Sequence, residues 1–323
     1  MSKEKLKELY QQRNYDEQQI EQALRDIEKL EKYLQEINKD TVSAEVSDIK
    51  KYVKMLIEQG DNSIDNILAI ARYFYLLKKN DIYIYFTTIL GGVGVIENIK
   101  KRAIKVVGEN TSEKIFGDLP DIPLGSPLSA YPEFTKDLMN RLTKVLPEDK
   151  YQKVLIGNNH NIPKEAFAKE HENYKKASDL DTFLKELHDR KVAELQYHCD
   201  NDIVWFEQRI TQEVVDYVKA DQEILSAVRD GNKLYVTKIP YDIENYLNAR
   251  TPEERKYYAC HCQFVRDSLL KGNNEVNENW CYCSAGFTKN AFDNMLGMDL
   301  EIKLLESPLK GDDRCRFELK LES

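Results

Sequence analysis

The sequence is short of long apolar runs. Its longest uncharged stretch, Ile82–Ile96 (IYIYFTTILGGVGVI), is below the ~20 residues a spanning helix needs and is interrupted by glycine. It also lacks a basic excess: Lys and Arg number 47 against 56 Asp and Glu, a net charge of −9, the wrong balance for a general phosphate-backbone binder. The opening residues, MSKEKLKELYQQ, are charged from the third onward and contain no apolar stretch closing on small residues, so no secretion signal is read. These absences set three expectations: no membrane partner, no nucleic-acid partner and a cytoplasmic location. Familiar catalytic signatures are missing too. The glycines at Gly91–Gly94 (GGVG) lack the Lys-Ser/Thr of a P-loop and the spacing of a dinucleotide fold, which leaves a turn or a close helix approach. There is no nucleophile elbow, no H-E-x-x-H and no paired-carboxylate pattern.

What remains is an ordered chain of 323 residues, 41% hydrophobic and 32% charged, enough for about two domains with real cores. The fold class read from its patterning is α+β, with a largely helical N-terminal region and a smaller α+β C-terminal domain. Ile20, Leu24, Ile27, Leu30, Leu34 and Ile37 recur in steps of three and four, one helical stripe between Asp16 and Asn38. It covers only about two and a half heptads, so docking on the protein's own body is preferred to a coiled coil, with a homo-oligomer through this helix as the alternative. Ser43 is expected to cap the next helix and Gly60 to end it, and Ser63 to cap a third. The aromatic segment at 82–92 leans to helix. The proline-rich stretch Leu119–Pro132 reads as a loop and the best linker. The domains are accordingly expected at 1–118, 132–231 and 232–323, joined by a linker at 119–131. Further helices are expected over 132–146, 150–156, 163–177, from Asp179, and over 206–228 with Gly231 as the stop.

From Lys233 the period changes. KLYVTKI alternates, as do Leu300, Ile302 and Leu304, and then Cys315, Phe317, Leu319 and Leu321. The last two runs flank the turn-rich SPLKGDDR and should pair antiparallel. Helices are expected between the strands, over 252–271 and 288–297.

Five of the six cysteines lie in this C-terminal part: Cys260, Cys262, Cys281, Cys283 and Cys315. The first four form two C-x-C pairs. In extended backbone, residues two apart point to the same side, so each pair can aim both sulfurs at one ion; in a helix they sit about 200° apart and cannot. A metal centre therefore requires both pairs to lie outside regular helix. Four thiolates suit structural zinc, another thiophilic metal or an iron–sulfur cluster, although zinc ribbons usually use C-x₂-C. Buried thiols and a redox-active pair are the alternatives. Cys315 points inward with Phe317, as a core cysteine or as part of the same pocket. His261, flanked by cysteines, faces away from them; an exposed position is preferred over a ligand or a general base.

The segment from about Tyr257 to Leu321 resembles the small-ligand-binding domain of the 4-vinyl-reductase type, which is related in fold to the haem–nitric-oxide sensors and to a Golgi-tethering subunit. The residues that carry the likeness are Gly286 in CYCSAGF, and Gly311, Cys315 and Phe317 in GDDRCRFELKL, with a helix–strand–strand order between them. Bacterial 2-aminothiazoline-4-carboxylic acid hydrolases have a similar ending, and the doubled C-x-C pairs look like those of an uncharacterised bacterial family. The resemblance implies an α+β domain with a pocket for a small molecule or a metal, and carries over no catalytic mechanism. The function expected is a cytoplasmic ligand- or metal-binding module of sensory type. In it Cys260, Cys262, Cys281 and Cys283 hold the metal, and Cys315, His261 and Phe317 line the pocket. A hydrolase acting on a small cysteine-like or heterocyclic substrate, with a cysteine nucleophile and His261 as base, is one alternative. A structural zinc domain on a helical scaffold is the other.

Overall fold

A computed structural model describes residues 2–272 and 275–321. The chain forms two compact units: Met1–Gly91 with Asp121–Pro127 and Phe206–Gln208, and the remainder.

The first unit is helical: α1 (Ser2–Gln12), α2 (Glu17–Glu36), α3 (Val46–Gln59), α4 (Ile64–Leu76) and α5 (Asn80–Leu90). Asp16 starts α2 through a capping box with Gln19, and Ser63 accepts from the Asn66 N–H to start α4. Gly60 ends α3 at φ +72°, a backbone state that only glycine adopts without strain. Ser43 does not cap α3. Its hydroxyl bonds the Asp40 carboxylate, and the N-cap is Glu45, in a capping box with Asp48. The α2 stripe is spent inside this unit, where Ile27, Leu30 and Leu34 join Tyr52, Leu56, Phe74 and Phe86 in one buried cluster. The aromatic segment is helical, as its neighbours suggest. The proline-rich residues 121–127 fold back onto this unit, with the Asn62 amide donating to the Leu124 carbonyl at 2.8 Å.

By length and composition alone, Asn80–Val107 holds a window apolar enough to cross a membrane, and 28% of that window is buried. Asp81 near its start and the charged residues from Glu97 onward keep its uncharged stretch to Ile82–Ile96. A turn at Gly91–Gly94, with Gly94 at φ +76°, separates its two helices.

The second unit opens with α6 (Val95–Val107), α7 (Glu109–Phe116), α8 (Tyr131–Val145), α9 (Glu148–Leu155), α10 (Ala168–Lys176), α11 (Leu180–Asp200) and α12 (Gln212–Lys219). The helix expected over 206–228 shrinks to α12, and Gly231 serves the following hairpin instead of stopping a helix. Then come β1 (Val228–Asp230), β2 (Lys233–Thr237), α13 (Ile243–Leu247), α14 (Pro252–Ala259), α15 (Arg266–Leu269), α16 (Tyr282–Leu296), β3 (Glu301–Glu306) and β4 (Arg316–Lys320). The strands make one antiparallel sheet in the order β1-β2-β4-β3, so the expected terminal hairpin gains the earlier strand as its neighbour. Leu234, Val236 and Leu319 pack on Phe292, Met295 and Leu296 of α16 and on Phe183, Leu184 and Leu187 of α11. The fold is α+β.

Candidate functional site

The C-terminal half of the second unit brings five cysteines together by local devices. Thr251 and Glu254 form the capping box of α14, and Pro252 sits in its first turn. The helix stops at Cys260, whose φ −88° and ψ 117° are extended, so Cys260-His261-Cys262 leaves helix as a metal reading requires. The helix expected over 252–271 is therefore broken into α14 and α15 by this thiol-bearing segment.

The second pair behaves differently. Cys281 ends a short 3₁₀ turn (Glu278–Cys281), and Cys283 lies in the first turn of α16. In this helical backbone the two side chains diverge. The Cys283 sulfur accepts from the Asn159 amide at 3.4 Å, while Cys281 meets the Ser307 hydroxyl. The expectation of two extended pairs is thus corrected: one is extended, and one is split by a helix start.

Charge interactions reveal which thiols are neighbours. Cys260, Cys262, Cys281 and Cys315 each interact with the other three. Cys283 interacts with Cys262. Cys262 is the thiol that interacts with all four others, and its sulfur accepts from the Trp280 indole N–H at 3.3 Å. The four thiols that all interact with one another are therefore Cys260, Cys262, Cys281 and Cys315. Cys315 precedes β4, where its carbonyl accepts from the Lys238 backbone N–H at 2.9 Å and so aligns the end of β2 with it.

Burial, which disfavours a charged thiolate, pushes all five thiols upward. Cys283 reaches about 12 and Cys315 about 11. At Cys262 the Trp280 N–H, the Phe264 backbone N–H, Lys238 and Arg266 all work against this rise. The cysteines are unbridged. Among the described residues, no group of three or more His, Cys, Asp or Glu side chains is arranged to hold a metal ion.

His261 is half-buried, not exposed. Its Nε2 lies 2.7 Å from the Ile239 carbonyl, which only accepts, so Nε2 carries the hydrogen. Burial, with Lys238 nearby, drives its pKa down to about 3 and keeps the ring neutral. Among the described hydrogen bonds none joins it to a thiol. Phe317 is fully buried in β4, in register with Val236 and Leu304 on the strands either side.

Several residues near the thiols carried no sequence signal. Arg266 is 3% exposed and lies 3.8 Å over the Tyr241 ring; its Nε and Nη1 have no hydrogen-bond partner among the described residues. Burial opposes its charge, but Tyr241, Tyr257 and Cys260 together outweigh that and hold it protonated. The Lys238 ammonium donates to Ser284 at 3.2 Å and lies over the Phe287 ring. Only Trp280, adjacent to Cys281, stood where the motif could have drawn attention to it.

Gly286 fixes the height of α16. A Cβ there would lie 2.3 Å from the Gly157 nitrogen and 2.7 Å from its oxygen, so only glycine permits this approach. That contact holds Cys283 beside Asn159.

No curated protein and no solved structure matches the chain. Residues 252–323, which carry α14–α16, β3, β4 and all five clustered cysteines, match the model of a family of unknown function, DUF6144.

Proposed function

We propose that the C-terminal part of the second unit is a thiol-rich binding module of sensory type, taking zinc or another thiophilic metal ion through Cys260, Cys262, Cys281 and Cys315. The observation that carries this reading is the mutual interaction of these four thiols, three of them buried and Cys262 half-buried. A soft cation takes the place of the protons on such thiols and removes the penalty of burying thiolates. Arg266 and Lys238 supply positive charge against the excess negative charge of a multi-thiolate complex. Closure around the ion requires the sulfurs to turn inward. Cys283, bonded to Asn159, stands beside the tetrad rather than in it. A reducing, cytoplasmic setting goes with this reading, and so does the likeness of Gly286, Gly311, Cys315 and Phe317 to small-ligand-binding domains. The hydrolase alternative is not favoured: among the described hydrogen bonds none pairs a thiol with His261, and burial raises the five clustered thiols away from the thiolate form.

The test is elemental analysis of protein purified without chelator, with Cd(II)–thiolate charge-transfer absorption as a second readout. A stoichiometric metal is expected in the wild type, lost in Cys262→Ser and retained in Cys283→Ser. Metal-free protein that develops no Cd(II) band overturns the reading, as does equal loss in both variants.

A further inference from the structure

A second site lies on α6, away from the four-thiol tetrad in sequence and chemistry. Asn98, Lys101, Arg102 and Lys105 fall at helical spacing on one face and, with Asn158 and Asn159, line a hollow. The amides there are committed to structure. Asn98 donates to the Asn159 carbonyl at 3.0 Å, Asn158 to the Ile162 carbonyl at 2.7 Å, and Asn159 to the Leu155 carbonyl at 2.7 Å as well as to Cys283. Of the cations, Arg102 alone has such a bond among the described residues. Among the described residues the ion pair formed from α6 is Lys100 with Glu113, on a neighbouring position, while Lys101, Arg102 and Lys105 have none.

Arg102 is the most deliberate of the three. Its Nε donates to the Lys153 carbonyl at 2.6 Å, and its guanidinium lies where a Cβ at position 157 would come within 2.8 Å of Nη1. Gly157 thus makes room for a half-buried cation at the wall of the hollow. Burial depresses its pKa, and the carboxylate that acts on it, Asp299, is bonded to Lys289. Three positive charges concentrated in one hollow, unpaired, are out of keeping with a chain of net charge −9.

We infer that the hollow lined by Lys101, Arg102 and Lys105 binds a small multivalent oxyanion, a phosphate or pyrophosphate group free or on a small molecule. The ammonium groups act as mobile point charges, and the Arg102 guanidinium acts as a fixed planar donor. Asn159 lies at the rim of the hollow and also bonds Cys283, so the ligand sits next to the residue that positions that thiol. The inference does not depend on metal binding by the cysteines.

Titration calorimetry of the full chain at low salt, with inorganic phosphate and pyrophosphate as separate arms, tests it. Pyrophosphate is expected to bind, more weakly as salt rises. The Lys101→Ala/Lys105→Ala variant, with an unchanged circular dichroism spectrum, is expected to bind roughly tenfold more weakly or worse. Phosphate binding as tightly as pyrophosphate assigns a single-phosphate site; pyrophosphate binding more tightly assigns a diphosphate site. Absence of heat with either anion, or equal binding by the variant, overturns the proposal. So does a single-stranded RNA oligonucleotide that outcompetes pyrophosphate.

Discussion

The two units differ in the polar groups they bury. In the first, which contains no cysteine, several polar side chains close helix ends or meet partners, although the buried Tyr52 hydroxyl has no partner among the described residues. Asp16 and Ser63 are caps, Asp48 bonds Lys39, and the buried Asn66 amide donates to the Asp61 carbonyl. Its interior is otherwise an apolar cluster. The second unit buries four thiols, half-buries that of Cys262, and buries a guanidinium whose Nε and Nη1 have no partner among the described residues. A buried polar group without a partner costs free energy, and such a cost is commonly retained where a ligand later meets the group.

The sharpest way to break that contrast is Phe74→Ala. Phe74 is fully buried in the first unit, and its truncation should cost about 3–5 kcal/mol in urea unfolding. The number of thiols reacting in the folded protein should stay at the wild-type value; a rise would mean that the thiol site depends on the first unit's core.

A smaller effect belongs to the second unit's sheet. Glu223 accepts from Arg316 Nε and Nη2, both at 2.7 Å, and from the Thr237 hydroxyl at 2.8 Å. Burial pushes its carboxyl up, but Arg316 and Thr237 prevail and hold it below the usual 4.5. The charged form is therefore favoured on folding, and its contribution is present above about pH 4.5 and lost as acid protonates the folded carboxyl. Glu223→Ala should cost about 1.5–3 kcal/mol at neutral pH, and the stability-against-pH curve should flatten on its acid side. An acid limb that keeps the wild-type slope would show that Glu223 is not its source.

The smallest expected change is Ser63→Ala, which removes the α4 cap at a cost of about 1 kcal/mol, read from the urea midpoint. A cost near zero would mean that packing alone holds that helix start.

Much of this architecture was legible because it is local. The stripe of α2, the Gly60 terminus and the three alternating strands follow from periods of 3.6 and 2. Ser43 misled because its hydroxyl had a nearer partner in Asp40. The helix expected over 206–228 failed because the apolar run after Phe206 divides between α12 and the approach to β1. At the thiol site the residues were legible and their grouping was not. Spacing suggested two equivalent pairs, but where α16 starts decides which sulfur faces which neighbour, and that start depends on contacts distant in sequence. Arg266 and Lys238 were invisible for the same reason.

The abutment of Gly286 on Gly157 has a consequence for how the molecule would drift under mutation. Because main chain rests on main chain there, the rungs of α16 are indexed like teeth against a stop, and Cys283 inherits its address from that stop rather than from its own rotamer. Bulk added at Gly286 would lift the helix and carry the sulfur with it, whereas bulk at Gly157 would press on the Arg102 side chain instead.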